Sequence, residues 1–303
     1  MDTSTLPSWR RCASRDAIEA FLEATRTVPV EQRVAVFDND GTLWGEKPRY
    51  TQLDFFVREL KQAVERDPAL GDRPEYRAVL AGDKDALAAF GLVPLVMALA
   101  QIHSGITPEE FTRRVQDFFA SAEHPDRGVP YRGTRYQPML ELIDELRSRQ
   151  FQVFVVTGGG AEFVRVISRS FYGVRPEGVV GSQIGYELDR VDGEPRLVRT
   201  TELSGDPNEG PAKIASIQRV LGQRPILAAG NSAGDIEMLE YAMATDGPSL
   251  ALLVDHDDAE REYEYESVAG TLDAAGPVLK VADRQGWTVI SMRDDWSTIF
   301  ADA

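Results

Sequence analysis

The chain has 303 residues, 43% of them hydrophobic and 27% charged, with a formal net charge of -16. That length buries a proper core in one large domain or two smaller ones, and the composition is that of an ordinary globular protein. The acidity argues against a nucleic-acid partner and against an anionic membrane surface, which both favour a basic face, but it leaves room for an anionic small molecule in a local cationic pocket.

The N-terminal segment carries Asp2 and polar residues where a signal peptide would have an apolar core. Its lone cysteine, Cys12, excludes an intrachain disulfide and fits a reducing compartment, so the cytoplasm is the expected location. Ser14, ahead of Arg15-Asp16-Ala17, predicts a helix N-cap, and Ala17, Ile18, Phe21 and Leu22 follow at helical spacing. The apolar run Val34 to Phe37 predicts a buried strand ending at Asp38. From Gly45 to about Gly133 the pattern is helical, through Leu53, Phe56, Leu60 and Val64, then Val79, Leu87 and Phe90, then Phe111, Val115 and Phe118. Thr107-Pro108-Glu109-Glu110 is a helix start, with a capping hydroxyl, proline at the first helical position and early acids. The longest apolar run, Leu92 to Ala100, contains Pro94 and is too short to span a bilayer.

After Tyr136 strands and helices alternate. Helices are predicted at Pro138 to Arg149, Ala161 to Tyr172, Pro211 to Leu221, Asp235 to Tyr241 and Val278 to Gln285. Strands are predicted at Phe151 to Val156, Val179 to Ile184, Pro225 to Ala229, Leu250 to Val254 and Thr288 to Met292. Glu187 to Val198, with Asp192-Gly193 at its middle, reads as a hairpin. The expected fold is α/β, a doubly wound Rossmann-like parallel sheet made by residues 1–44 and 134–303, with residues 45–133 inserted as a mostly helical cap over the strand ends.

Four chemically suggestive places fall where such a sheet exposes its strand ends or starts a helix. Asp38 and Asp40 are two carboxylates one residue apart, followed by Gly41-Thr42; a strand end like this can hold a hard cation, attack phosphorus and move a proton, although a polar turn is the plainer alternative. Thr157-Gly158-Gly159-Gly160 offers a hydroxyl and amides to an anion, or a flexible turn. Lys213 opens a helix, where a lone lysine is ordinarily a solvated charge. Asn231 and Asp235, four residues apart after a strand, could face a cation or form an Asx-turn and a helix cap. His103 reads as a packing or capping histidine, and His256-Asp257-Asp258, although it looks like a metal cluster, reads more simply as the cap of a following helix. Trp287, Trp296 and Phe300 are expected to seal the C-terminal end of the core.

Order and spacing say more than any one of these. A strand ending in Asp-x-Asp-Gly-Thr, a strand ending in Thr, a lysine and then Gly-Asn-x-x-x-Asp resemble, over roughly Val34 to Met292, the haloacid dehalogenase superfamily. The Thr-Gly-Gly form and the position of the insertion are most similar to its phosphoserine phosphatase branch. The resemblance implies a Mg²⁺-dependent phosphatase of a small phosphorylated metabolite. Asp38 is then the nucleophile and Asp40 the general acid and base. Thr157, the Gly158 amide and Lys213 hold the phosphoryl group, and Asp38, the Asp40 carbonyl, Asn231 and Asp235 form the Mg²⁺ site. The presence of Asp40 favours chemistry with a leaving oxygen that needs a proton. The sequence departs from the superfamily at Asn231, where an aspartate is usual, so one ligand charge is missing. Glu46 is the residue that the resemblance offers for reading the substrate, and Lys47, Arg49 and Tyr50 follow the nucleophile closely enough to reach it too, although solvated loop charges are the plainer reading for most of these. A phosphomutase or phosphotransferase fits the same motifs, and a non-catalytic binding protein on the same fold is the reading from another class.

Overall fold

A computed structural model describes residues 6–267 and 277–302. Its centre is a six-stranded parallel sheet in the order β3-β2-β1-β6-β7-β8, formed by β1 (Val34–Phe37), β2 (Gln152–Gly160), β3 (Val179–Ser182), β6 (Leu227–Gly230), β7 (Leu250–Asp255) and β8 (Thr288–Ser291). A two-stranded antiparallel hairpin, β4 (Ile184–Val191) and β5 (Glu194–Leu203), stands apart from it. Asp192 and Gly193 turn that hairpin with φ of 52° and 84°, the left-handed pair that a two-residue loop demands.

The central strands β1, β6 and β7 are buried on both faces, so they read as continuous apolar runs while their side chains still alternate. Ala35 and Phe37 of β1 join one core, and Val34 and Val36 join the other. The first core is closed by α1 (Ala13–Ala24), α7 (Gln137–Ser148) and α8 (Ala161–Tyr172); the second by α9 (Pro211–Leu221), α10 (Ile236–Met243) and α11 (Val278–Gln285). The order reverses between β1, which continues to β2 and β3 on one side, and β6 on the other. In open α/β sheets ligands bind at such a switch point, beyond the carboxyl ends of the strands.

Between β1 and α7 the chain forms α2 (Thr51–Arg66), α3 (Pro74–Ala81), α4 (Lys84–Phe90), α5 (Leu92–Ala100) and α6 (Pro108–Ser121). Thr107 accepts from the Glu110 amide at 3.2 Å, with Pro108 following, so this cap is built as its sequence reads. Helices α2 and α6 pack on α8 through a cluster of rings: Phe55 lies 5.7 Å from Phe111, 5.6 Å from Phe118 and 5.5 Å from Phe163. His103 is a packing residue, fully buried and stacked on Phe55 at 5.3 Å, with Glu59 at 3.4 Å. The hairpin is tied to the same segment by backbone bonds from Gly105 N to Arg199 O and from Arg199 N to Ile106 O.

Two caps differ from their sequence reading. Cys12, not Ser14, precedes α1; Ser14 lies inside the first turn, where its hydroxyl donates to Asp295 at 2.7 Å. A tertiary acceptor outcompetes the local amide. Nor does a helix follow His256-Asp257-Asp258: the chain turns there, with Asp258 accepting from the Glu260 and Arg261 amides, and His256 goes inward. Trp296 and Phe300 pack against Tyr136 in the first core, whereas Trp287 packs into the second. Among the described residues no helix is long and apolar enough to cross a membrane.

Candidate active site

The carboxyl ends of β1, β2 and β6 bring together residues that are 38, 157, 213 and 235 in sequence. Asp38 leaves β1 with its amide bonded to Ala229 O of β6 at 2.9 Å. Lys213, in the first turn of α9, donates from Nζ to Asp38 Oδ1 and to Asp235 Oδ1, each at 2.6 Å, and to Val156 O at 3.1 Å. The ammonium is therefore no solvated surface charge: it is 2% exposed and bridges two carboxylates.

Its electrostatics follow from burial. Burial, and the Asp235 charge beside it, hold the Asp38 carboxyl well above the ordinary aspartate range, against the opposing pull of Lys213. Burial works against the Lys213 ammonium too, but Asp235 and Asp38 more than offset it and leave its pKa above that of an ordinary lysine. One cation thus serves two buried carboxylates, with Asp40 close enough to add to the negative charge at Asp38. Burial also raises Asp40, with hydrogen bonds from Trp44 and Asn39 opposing; Trp44 Nε1 donates to its Oδ1 at 2.9 Å.

Asp235 is fully buried and both its oxygens are engaged within the protein. Oδ1 takes Lys213, and Oδ2 takes the Asn231 amide at 3.0 Å, the Ser232 amide at 3.0 Å and the Ser232 hydroxyl at 3.2 Å. Gly230 makes this fold-back possible, because a Cβ there would lie 2.5 Å from the Asp235 side chain. Asn231 packs against the turn after Asp40. Its Oδ1 accepts from Thr42 at 3.4 Å, and its Nδ2 donates to Ser267 at 3.1 Å and Glu46 at 3.5 Å. Gly41, at φ 76°, has to be glycine on two counts, since a Cβ would also come within 2.0 Å of Asn231 Nδ2.

The second strand end supplies the other wall. Thr157 is buried, and its Oγ1 accepts from the Gly159 amide at 2.9 Å. Ser182 donates to Gly158 O at 2.7 Å, and Asn208 donates to Thr157 O at 2.9 Å, so β3 and the loop before α9 hold the glycine-rich turn in place. The Gly160 amide donates to Gln52 Oε1 at 2.9 Å, which links the turn to α2.

Asp38, Asp40, Gly158, Lys213, Asn231 and Glu46 all line one cavity of about 210 Å³. Of the residues after the nucleophile, Glu46 and Tyr50 line it, and burial pushes the Glu46 carboxyl up to about 7. Lys47 instead lies over the Tyr265 ring, and Arg49 pairs with Asp54. Sequence reasoning missed Gln52, Ser182, Asn208 and Trp44, which carry no motif and act only through contacts made in the fold. His256 had a readable signal, its place directly after β7. Its Nε2 lies 2.9 Å from Gly41 O and its ring stacks on Tyr265 at 4.3 Å, bracing the turn that carries Asp40.

Residues 35–240 match the haloacid dehalogenase-like hydrolase family. No curated protein matches the chain in sequence. Among solved structures, the chain is similar to a protein with unknown function from Bordetella pertussis Tohama I, at 17% identity over 86% of this chain and 98% of that one, with a TM-score of 0.54. It is also similar to a functionally unknown protein from Anaerococcus prevotii DSM 20548, at 14% identity over 94% of each chain, with a TM-score of 0.52. A phosphoserine phosphohydrolase-like protein from Francisella tularensis subsp. tularensis SCHU S4 gives 18% identity over 83% of this chain and 99% of that one, with a TM-score of 0.40. The likeness to the first two, at these identities, speaks to the fold alone.

Proposed function

Because the chain belongs to the haloacid dehalogenase-like hydrolase family, we propose that it is a Mg²⁺-dependent phosphatase of a small phosphorylated metabolite, working through a phosphorylated Asp38. The observation that carries this reading is the Asp38–Lys213–Asp235 bridge set against the Thr157–Gly160 turn at one end of a small cavity. Phosphoryl transfer needs positioning and charge neutralisation above all, and these residues supply both.

Asp38 Oδ attacks phosphorus, and the bond from phosphorus to the ester oxygen breaks. Asp40, whose carboxyl burial holds above the ordinary aspartate range, gives its proton to the leaving oxygen. The Asp40 carboxylate then takes a proton from water as that water attacks phosphorus, releasing phosphate and restoring Asp38. Thr157, the Gly158 amide and Lys213 hold the phosphoryl oxygens meanwhile. Asp235 is a positioning residue in this scheme: it holds Lys213 with one oxygen and the Asn231–Ser232 backbone with the other. The segment 45–133 acts as the cap that selects substrate, with Glu46 at the cavity wall.

The donor set suits Mg²⁺. Among the described residues no three His, Cys, Asp or Glu side chains form a metal cluster. Mg²⁺, however, keeps several waters and needs only one or two carboxylates. Asp38, the Asp40 backbone carbonyl and the Asn231 amide are hard oxygen donors, and Asp38 with Asp235 already sets two carboxylates against the one ammonium of Lys213. When bound, the ion would polarise the phosphoryl oxygens and offset the repulsion between Asp38 and an anionic substrate.

Phosphate release from a panel of small phosphomonoesters is expected with Mg²⁺, to be lost in EDTA and to return when Mg²⁺ is restored. Undiminished release in exhaustively chelated enzyme would exclude the metal.

Asn231→Asp should strengthen Mg²⁺ binding by adding a charge, by about tenfold for each ~1.4 kcal/mol gained. The same change places a second carboxylate beside Glu46 and removes the amide that donates to it. The variant should therefore melt lower than the wild type without metal and gain more on adding Mg²⁺. Equal gains in both proteins would place Asn231 outside the metal shell.

A further inference from the structure

The cavity that contains Asp38 extends well beyond the phosphoryl-binding turn. Its remaining wall is made by the helical segment, α8 and the hairpin, and it is mostly apolar: Leu53, Phe56, Met97, Phe111, Phe163 and Leu203. Arg199 and Glu162 form a buried ion pair at this wall, and the guanidinium lies 3.9 Å from the centre of the Phe111 ring. The pair therefore acts as a brace that fixes the ring.

The charges of the lining narrow what the chamber can take. Among the described residues, Lys213 and Arg199 are the only lysine and arginine that line it, and both are already held by carboxylates. A second anionic group on the substrate finds no cation waiting. The glutamates are engaged too: Glu162 with Arg199, Glu46 with Lys47 at 3.9 Å, and Glu209 within its own contacts. An ammonium group would have to displace one of these partners, the weakest being Lys47 on Glu46. Tyr50 and Gln183 also line the cavity and can meet a hydroxyl, but a polyhydroxylated body would set most of its hydroxyls against phenyl and alkyl side chains, at a cost for each unmatched group. The volume of about 210 Å³ sets the size. A cavity of roughly 150 Å³ holds benzene, so the space fits a phosphoryl group with one ring or a short branched chain.

We propose that the chamber walled by Leu53, Phe56, Met97, Phe111, Phe163 and Leu203 selects phosphomonoesters of small, neutral, apolar alcohols over sugar phosphates and phosphoamino acids. The inference rests on the phosphatase reading of Asp38 and names the substrate class of that site. Arg199 is a positioning residue here, acting through Phe111.

The test compares benzyl phosphate and 3-methylbutyl phosphate with glycerol 3-phosphate and phosphoserine. All four are alkyl esters, so an intrinsically better aryl leaving group does not bias the result. The apolar pair is expected to exceed the polar pair in kcat/KM by about tenfold or more, the scale of discrimination that an apolar pocket provides. Met97→Gln, a substitution of nearly equal volume at a half-buried position, should narrow that ratio severalfold through a higher KM for benzyl phosphate. Equal or faster turnover of glycerol 3-phosphate or phosphoserine overturns the proposal and leaves the phosphatase reading standing. Calorimetry with Asp38→Asn separates the two readings from the other side. Tighter binding of benzyl phosphate than of glycerol 3-phosphate, with no phosphate released by the wild type, keeps the chamber and removes the phosphatase. Binding of neither ester, with no phosphate released by the wild type, overturns both.

Discussion

Asp38→Asn is expected to abolish phosphate release while leaving the fold intact. The amide cannot displace the leaving oxygen, and loss of a nucleophile of this kind costs on the order of 10⁴- to 10⁶-fold in rate. The stability effect should run the other way. Asp38 is buried with Asp235 beside it, and its raised pKa means that its charge is held at a cost. A neutral amide of the same shape removes that cost, and Lys213 keeps Asp235 as its partner. The variant should therefore melt at or above the wild-type temperature in the absence of metal. Asp40→Asn is the companion. It keeps the nucleophile but cannot activate water, so the phosphorylated chain should accumulate. Acid quenching followed by peptide mass analysis should find a phosphoryl group on Asp38. A variant series in which phosphate is released but never attaches to Asp38 would rule out the covalent route.

Lys213→Met should remove activity and much of the stability together. It leaves the Asp38 and Asp235 carboxylates buried without the ammonium that bridges them at 2.6 Å on each side. Breaking a buried ion pair by deleting one partner costs about 3–5 kcal/mol. At roughly 2–4 °C per kcal/mol, the scale for a chain somewhat shorter than this one, the melting temperature falls by about 6–20 °C. Adding Asp235→Asn to the same chain removes one of the stranded charges. It should recover a good part of the lost stability but none of the phosphate release, since the phosphoryl group still lacks its cation. A Lys213→Met protein that melts with the wild type would show that the ammonium does not hold the pair.

These two results depend on features of different visibility. Asp38 is legible because a four-residue apolar run delivers it to a strand end, and the identity of its neighbours Asp40, Gly41 and Thr42 restricts what such a turn can do. Helix α9 is equally legible, from Pro211 at its first position to Gly222 just past its end. That its lysine is buried is not, because a lone lysine near a helix start carries the same local pattern whether it faces solvent or two carboxylates. Asp235 shows the same limit. Its spacing from Asn231 marks it as chemically interesting, but the spacing is equally that of a residue reaching back to its own backbone, which is how the folded chain uses it.

The amino-acid sequence by itself determined the alternation of strands and helices, the parallel sheet they imply, the helical insertion after the first strand and the four strand-end or helix-start positions that carry chemistry. Those are local properties, set by the period of the apolar residues and by proline, glycine and capping side chains along a continuous stretch. Only the tertiary structure decided which groups face one another across it. It put one ammonium between Asp38 and Asp235, tied Gln52 of α2 to the Gly160 amide, turned His256 inward onto Gly41, sent the Ser14 hydroxyl to Asp295, and set Arg199 of the hairpin against Phe111 and Glu162. Such pairings join residues far apart in the chain, and each is favourable only once burial removes water as the competing partner, so no stretch of sequence read by itself contains them.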